Sequence, residues 1–162
     1  MRAGGKGDVA VMNNGGVRAN LRAGTATYGS LFEIQPFANI LYRVTVTGKT
    51  LRDYLEKLVA KRVNVHISGV QITYDSTRTA GARITNVKLT DGRELKDDAQ
   101  YALILNDFLA TGGDGLGVTT GAIKTEVLNT IDLDALIEYL RSQPQPVRAP
   151  TDSRFIVVPP SR

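Results

Sequence analysis

The chain has 162 residues, 42% of them hydrophobic and 22% charged, with a formal net charge of +4. That is enough to build one domain around its own core, expected over residues 1–162, and no apolar run approaches the roughly 20 residues of a membrane-spanning helix. The absence of cysteine excludes disulfides, thiolate zinc sites and a cysteine nucleophile, and the 20 Lys and Arg are intermixed with 16 acids, so no nucleic-acid partner is expected.

In chain order, the opening "MRAGGKGD" has a basic start but no apolar h-region, so no signal peptide is read here. Asp8 to Met12 predict a short buried strand that runs into the loop "NNGG". "TYGSLFEIQPF" predicts a short helix stopped before Pro36, because proline disfavours helical geometry in the residue ahead of it. "NILYRVTVTG" is rich in β-branched residues and predicts a strand. From Thr50 onward, Leu51, Tyr54, Leu55, Leu58 and Val59 recur at helical spacing, the apolar stripe of a helix packed on a sheet.

The middle of the chain reads as strands. "VNVHIS", "VQITYD" and "ARITNVKLT" come first, then a hairpin turn at Asp91-Gly92, then the buried strand "YALILND". A glycine-rich loop, "FLATGGDGLG", follows it. Thr130 is the expected N-cap of a second helix whose inward stripe is Leu133, Leu136, Ile137 and Leu140, with Asp132 and Asp134 at the positive end of its dipole. "SQPQPVRAP" ends that helix, and "RFIVVPP" adds a last edge strand. The fold class is α+β, a mixed β-sheet with two main helices.

Two short signals have plain explanations. "TGKT" at 47–50 resembles the end of a phosphate-binding loop, but the leading glycine of that motif would fall on Arg43, so Thr47 or Thr50 reads as a helix cap. The single histidine, His66, lies in a strand-like run without cysteines or a carboxylate cluster, and no metal site is expected on it. Two glycine-rich loops are more informative. "NNGGVR" brings Arg18 and "ATGGDG" brings Asp114, each after a strand, while Phe37 and Phe108 sit beside loops where an apolar ring has less reason to be. Singly, each loop is a turn and each ring a core residue. Together, two rings facing across a cleft would stack a planar heterocycle.

The ordered set "DVAVMNNGGVRANL", "QPFANILYRVTVTGKTL", "HISGVQITYD" and "NDFLATGGDG" resembles the C-terminal domain of the 5'-nucleotidase family, which includes UDP-sugar hydrolases and periplasmic or surface nucleotidases. The resemblance spans about residues 8 to 118 and implies a domain that binds the nucleoside part of a substrate. By position in the family's motifs, Asn13, Gly15, Gly16 and Arg18 belong to its N-x-x-G-I/V-R loop, and Phe37 and Asn39 to P-F-x-N. Gly69 belongs to S-G, and Phe108, Gly113 and Asp114 to F-x-x-x-G-G-D. The resemblance implies that the two phenylalanines clamp the base and that Asp114 accepts hydrogen bonds from the ribose hydroxyls.

The resemblance also sets the expected partners: a nucleoside or nucleotide ligand, and an N-terminal metallophosphatase domain that would hold two divalent metal ions and perform the hydrolysis. No catalytic residue, metal ligand or cofactor is expected in these 162 residues, so the chain alone is not expected to be a hydrolase. Arg2 does not match the family's further substrate-contacting arginines. The implied location is periplasmic, extracellular or at the cell surface. The alternative from another class is a non-catalytic nucleoside-binding or cell-surface interaction module, and a relative acting on 2',3'-cyclic nucleotides or another ester is a third reading.

Overall fold

The computed structural model describes residues 1–61, 64–118 and 121–158. Strand β1 (Val9–Asn13) is buried along its whole length. Helix α1 (Tyr28–Ile34) starts at a reciprocal cap: the Ser30 amide donates to Thr27 Oγ1 at 3.2 Å, and the Thr27 amide donates to Ser30 Oγ at 2.9 Å. Replacing Thr27 with Ala is expected to lower stability by about 1 kcal/mol, read as a lower denaturant midpoint at unchanged slope.

Strand β2 (Ile40–Thr47) leads directly into helix α2 (Gly48–Lys61), where Thr47 Oγ1 accepts the Thr50 amide at 3.1 Å. The "TGKT" segment is therefore a cap, and the stripe Leu51, Tyr54, Leu55, Leu58 and Val59 is buried as its spacing predicts. Strands β3 (Val65–Ser68), β4 (Val70–Tyr74), β5 (Ile84–Leu89) and β6 (Gln100–Asn106) follow. Val63, at the start of the expected "VNVHIS" strand, lies outside the described residues. Beyond β5 the chain reverses at Gly92, whose amide donates to the Leu89 carbonyl at 2.9 Å.

The region after β6 departs from expectation in two ways. Where the sequence suggested only a loop, a single turn of helix α3 (Asp107–Ala110) forms, because Asn106 Oδ1 accepts the Leu109 amide at 3.0 Å. Strand β7 (Ala122–Ile131) was not anticipated at all, and it contains Thr130. Helix α4 (Asp132–Ser142) thus begins after Ile131, with no side-chain cap, and carries Asp132 and Asp134 in its first turn. Strand β8 (Phe155–Val157) is the edge strand expected near the end of the chain.

The strands divide between two sheets, both mixed, one ordered β3-β1-β6-β2-β7 and the other β5-β4-β8. The division falls at Gly69, the residue between β3 and β4, which has φ of +90° and turns the chain out of the first sheet. Alternating side chains of the five-stranded sheet face opposite ways. Val9, Val11, Val44, Leu103 and Leu105 join α2 and the inner residues Val70, Ile72 and Val87 of the second sheet in the main core. Ala10, Leu41 and Ile104 meet Ala135 of α4 on the other side. There α1 packs on α4, Leu31 and Ile34 against Leu133, Leu136, Ile137 and Leu140.

Candidate functional site

Strand order brings distant loops to one end of the five-stranded sheet. β1 and β6 are parallel neighbours, β2 runs antiparallel to β6 with Leu41 opposite Asn106, and β7 runs antiparallel to β2 with Ile131 opposite Ile40. The last residues of β1, β6 and β7 and the first of β2 therefore share one edge. Ligands gather in such crevices beyond the carboxyl ends of adjacent parallel strands. A cleft of about 390 Å³ opens here, lined by Asn13, Gly15, Gly16, Phe37, Asn39, Asn106, Phe108 and Asp114.

Most of the residues expected from the sequence meet in this cleft. Arg18 borders it: its guanidinium carbon lies 6.0 Å from the Phe37 ring centroid, and its Nη1 donates to the Gly15 carbonyl at 3.3 Å. Gly113 lies behind Phe108, where a Cβ would come within 2.5 Å of ring atom Cε1. Gly69 is not among them. β3 runs antiparallel to β1 with Ser68 opposite Ala10, which sets Gly69 beside Asp8 at the far end of the sheet from Asn13. A Cβ on Gly69 would overlap the Asp8 carbonyl oxygen, so the glycine is required there by close packing.

Phe37 and Phe108 are 54% and 44% exposed, which excludes the reading of either as a core ring. The backbone around the site is held in unusual geometry. Ala38, between Phe37 and Asn39, has φ of +52°, a conformation that disfavours an L side chain by roughly 1 to 2 kcal/mol, and Asp114 itself has φ of +54°. Such strain gathers where surrounding structure over-determines the backbone, as at ligand sites. Lys61 Nζ holds the second loop from outside, donating to the carbonyls of Asp114 and Gly115 at 3.3 and 3.2 Å. The Asp114 carboxylate has no hydrogen-bond or ion-pair partner among the described residues.

Two residues that the sequence did not single out complete the site. Asn106, fully buried, donates through Nδ2 to Asn13 Oδ1 at 2.9 Å and to Met12 Sδ at 3.4 Å. Asp132, also fully buried, accepts Asn39 Nδ2 at 2.9 Å, while its amide donates to the Asn39 carbonyl at 2.9 Å. Burial raises the Asp132 carboxyl above the ordinary carboxylate range, against the opposing pull of the Asn39 hydrogen bond. Asn106 had a faint signal, a polar residue ending an apolar strand inside the "NDFLATGGDG" motif. Asp132 read only as a charge at a helix start.

The cleft therefore combines two apolar faces, amide groups held by neighbours and a carboxylate unpaired among the described residues. Among the described residues no three His, Cys, Asp or Glu side chains come together to hold a metal ion, and His66 is exposed on β3, opposite Met12. A larger hollow of about 630 Å³ lies between α1, α4 and the segment Leu21–Ala26, but it contains none of these groups.

Comparison with known proteins places the chain in a family. The family model described as 5'-nucleotidase, C-terminal domain, matches residues 1–121. The chain belongs to this family. Over 139 residues the chain is 35% identical to a 5'-nucleotidase of Vibrio vulnificus, covering 83% of this chain and 24% of that protein. It is 34% identical over 156 residues to the endonuclease YhcR of Bacillus subtilis, covering 96% of this chain and 13% of that protein. Among solved structures, the 5'-nucleotidase precursor of Thermus thermophilus superimposes with a TM-score of 0.83 at 28% identity, covering 97% of this chain and 32% of that one. The domain thus spans a third or less of each of these relatives.

Proposed function

We propose that this domain holds the nucleoside portion of a phosphorylated substrate, presenting the phosphate to a two-metal phosphoesterase domain of a longer polypeptide. The observation that carries the reading is that two half-exposed phenylalanines, Phe37 and Phe108, line one cleft with Asp114, whose carboxylate has no partner among the described residues. A flat base between the rings exchanges water for aromatic contact on both faces, and a carboxylate that only accepts suits two neighbouring ribose hydroxyls. Arg18, beside Phe37, supplies a positive charge at the rim for an anionic substrate. The names of the two sequence relatives, a 5'-nucleotidase and an endonuclease, have a nucleotide-containing substrate in common, which supports the same reading.

In this proposal the domain contributes positioning, since fixing base and ribose turns an encounter between phosphate and catalytic metals into an intramolecular one. The metals would supply an activated water and charge stabilisation. A periplasmic, extracellular or surface location belongs to the same proposal and rests on family resemblance. No helix among the described residues is long and apolar enough to cross a membrane.

The test is adenosine binding to the wild-type chain and to Phe108→Ala. Loss of one stacking face is expected to weaken binding by roughly 1 to 3 kcal/mol, about tenfold to a hundredfold. Stability should change little, because the ring is 44% exposed. A substitution that lowers the melting temperature sharply and leaves affinity intact in the folded fraction would count against the base cleft.

A further inference from the structure

We infer that two buried side chains, Asn106 and Asp132, fix the hydrogen-bond polarity of the cleft, so that it distinguishes a 6-amino from a 6-oxo purine. The inference rests on the nucleoside reading above. A carboxamide has a donor end and an acceptor end of nearly the same shape, and a free one turns either way to suit its ligand. Asn13 and Asn39 are not free.

The Leu109 amide can only donate, so Asn106 must turn its Oδ1 toward it, and does so at 3.0 Å. That turns Asn106 Nδ2 toward Asn13, which answers with Oδ1 at 2.9 Å and leaves its own Nδ2 for the cleft. Asp132, whose Oδ1 already receives the Leu133 amide at 2.8 Å, offers Asn39 an accepting oxygen. Asn39 therefore donates Nδ2 to Asp132 Oδ2 at 2.9 Å and keeps Oδ1 for the cleft. Reversing either amide would set lone pair against lone pair or donor against donor in a buried place. The cleft thus offers one fixed donor, from Asn13, and one fixed acceptor, from Asn39, both among its lining residues.

Adenosine and inosine probe this polarity directly. They have the same ring shape, but adenosine carries a donating amino group beside an accepting ring nitrogen, and inosine carries the opposite order. Two freely turning amides would bind them alike, whereas a fixed pair favours one order, by about tenfold or more.

The experiment is a chemical-shift titration of the 162-residue chain with each nucleoside, reaching millimolar dissociation constants, on the wild type, Asp132→Asn and Asn13→Asp. The wild type should prefer one nucleoside about tenfold or more. In Asp132→Asn the Leu133 amide holds the new oxygen, so the new Nδ2 faces Asn39 and turns it over, and the disfavoured nucleoside should gain affinity until the ratio falls to one or inverts. A gain of that kind does not follow from mere loss of structure. Because burial already opposes ionisation at this position, a neutral side chain of the same shape should fold, which a thermal melt verifies. Asn13→Asp keeps an oxygen for Asn106 but replaces the donor facing the cleft with an acceptor, and the favoured nucleoside should lose about tenfold or more.

Equal wild-type affinities within twofold, or two folded variants that keep the wild-type ratio, overturn the inference while leaving a nucleoside cleft in place. Failure of both nucleosides to bind the wild type overturns the nucleoside reading and this inference with it.

Discussion

Replacing Gly69 with Ala is expected to destabilise the fold by about 2 to 5 kcal/mol without changing nucleoside affinity in the molecules that remain folded. An L residue at φ of +90° is disfavoured by roughly 1 to 2 kcal/mol, and pushing the Asp8 carbonyl aside adds roughly 1 to 3 kcal/mol of overpacking. Asp8 has little room to give. Its amide donates to the Ala102 carbonyl at 2.9 Å and its Oδ2 accepts the Ala102 amide at 2.8 Å, tying it to β6. For a domain of this size, a loss of about 3 kcal/mol lowers the melting temperature by about 6 to 12 °C. Thermal melts read beside a nucleoside titration test this. An unaltered melt with tenfold weaker binding would return Gly69 to the ligand site, where its motif had suggested it belongs.

Asp114→Ala should do the reverse, weakening ribonucleoside binding by roughly 1.5 to 3 kcal/mol, the usual effect of losing hydrogen bonds to a charged group. The carboxylate has no partner of its own among the described residues, so removing it leaves nothing in the protein unpaired. Alanine at φ of +54° adds some backbone strain, and Asp114→Asn is the control, since asparagine tolerates that geometry. The decisive comparison is adenosine against 2'-deoxyadenosine. If this carboxylate reads the extra hydroxyl, the wild type should prefer the ribose and Asp114→Ala should bind the two alike. If the ribose preference survives in Asp114→Ala, the residue is a turn former and the hydroxyls are read elsewhere.

Much of the fold was legible because many elements bury one face. The stripe from Leu51 to Val59 defines α2 without help from its surroundings, and Val9, Val11, Leu103 and Leu105 mark β1 and β6 as buried strands. β7 escaped notice because it lies at the sheet edge. Ile123 and Val127 are half exposed, so its alternation points to no core and reads as nondescript polar chain. The split into two sheets was hidden for a different reason: the sequence separates the two strands on either side of Gly69, but only the conformation of that glycine sends them to different sheets.

The candidate site was legible wherever a residue stands out from its local stretch. Glycines, loop-edge phenylalanines and the aspartate of the "ATGGDG" loop do so. Asn106 and Asp132 do not, because each acts on a residue 93 positions away in the chain, and the contacts exist only once β6 lies beside β1 and the start of α4 comes level with the start of β2. Nothing local distinguishes such a pair from an ordinary strand end and an ordinary first helical turn.

The outer edge of β7 also bears on how the molecule behaves when crowded. A flat outer strand of ten residues would be an open template for a neighbouring chain. Here its pairing with β2 slips twice, leaving a regular run of only four residues, Lys124 to Val127, along which Lys124 Nζ and Glu126 Oε1 meet at 2.9 Å. An incoming strand would find the ladder broken on either side and an ion pair to desolvate between the breaks. The irregular border that hid β7 from view is thus also one that disfavours pairing of this strand with a neighbouring chain.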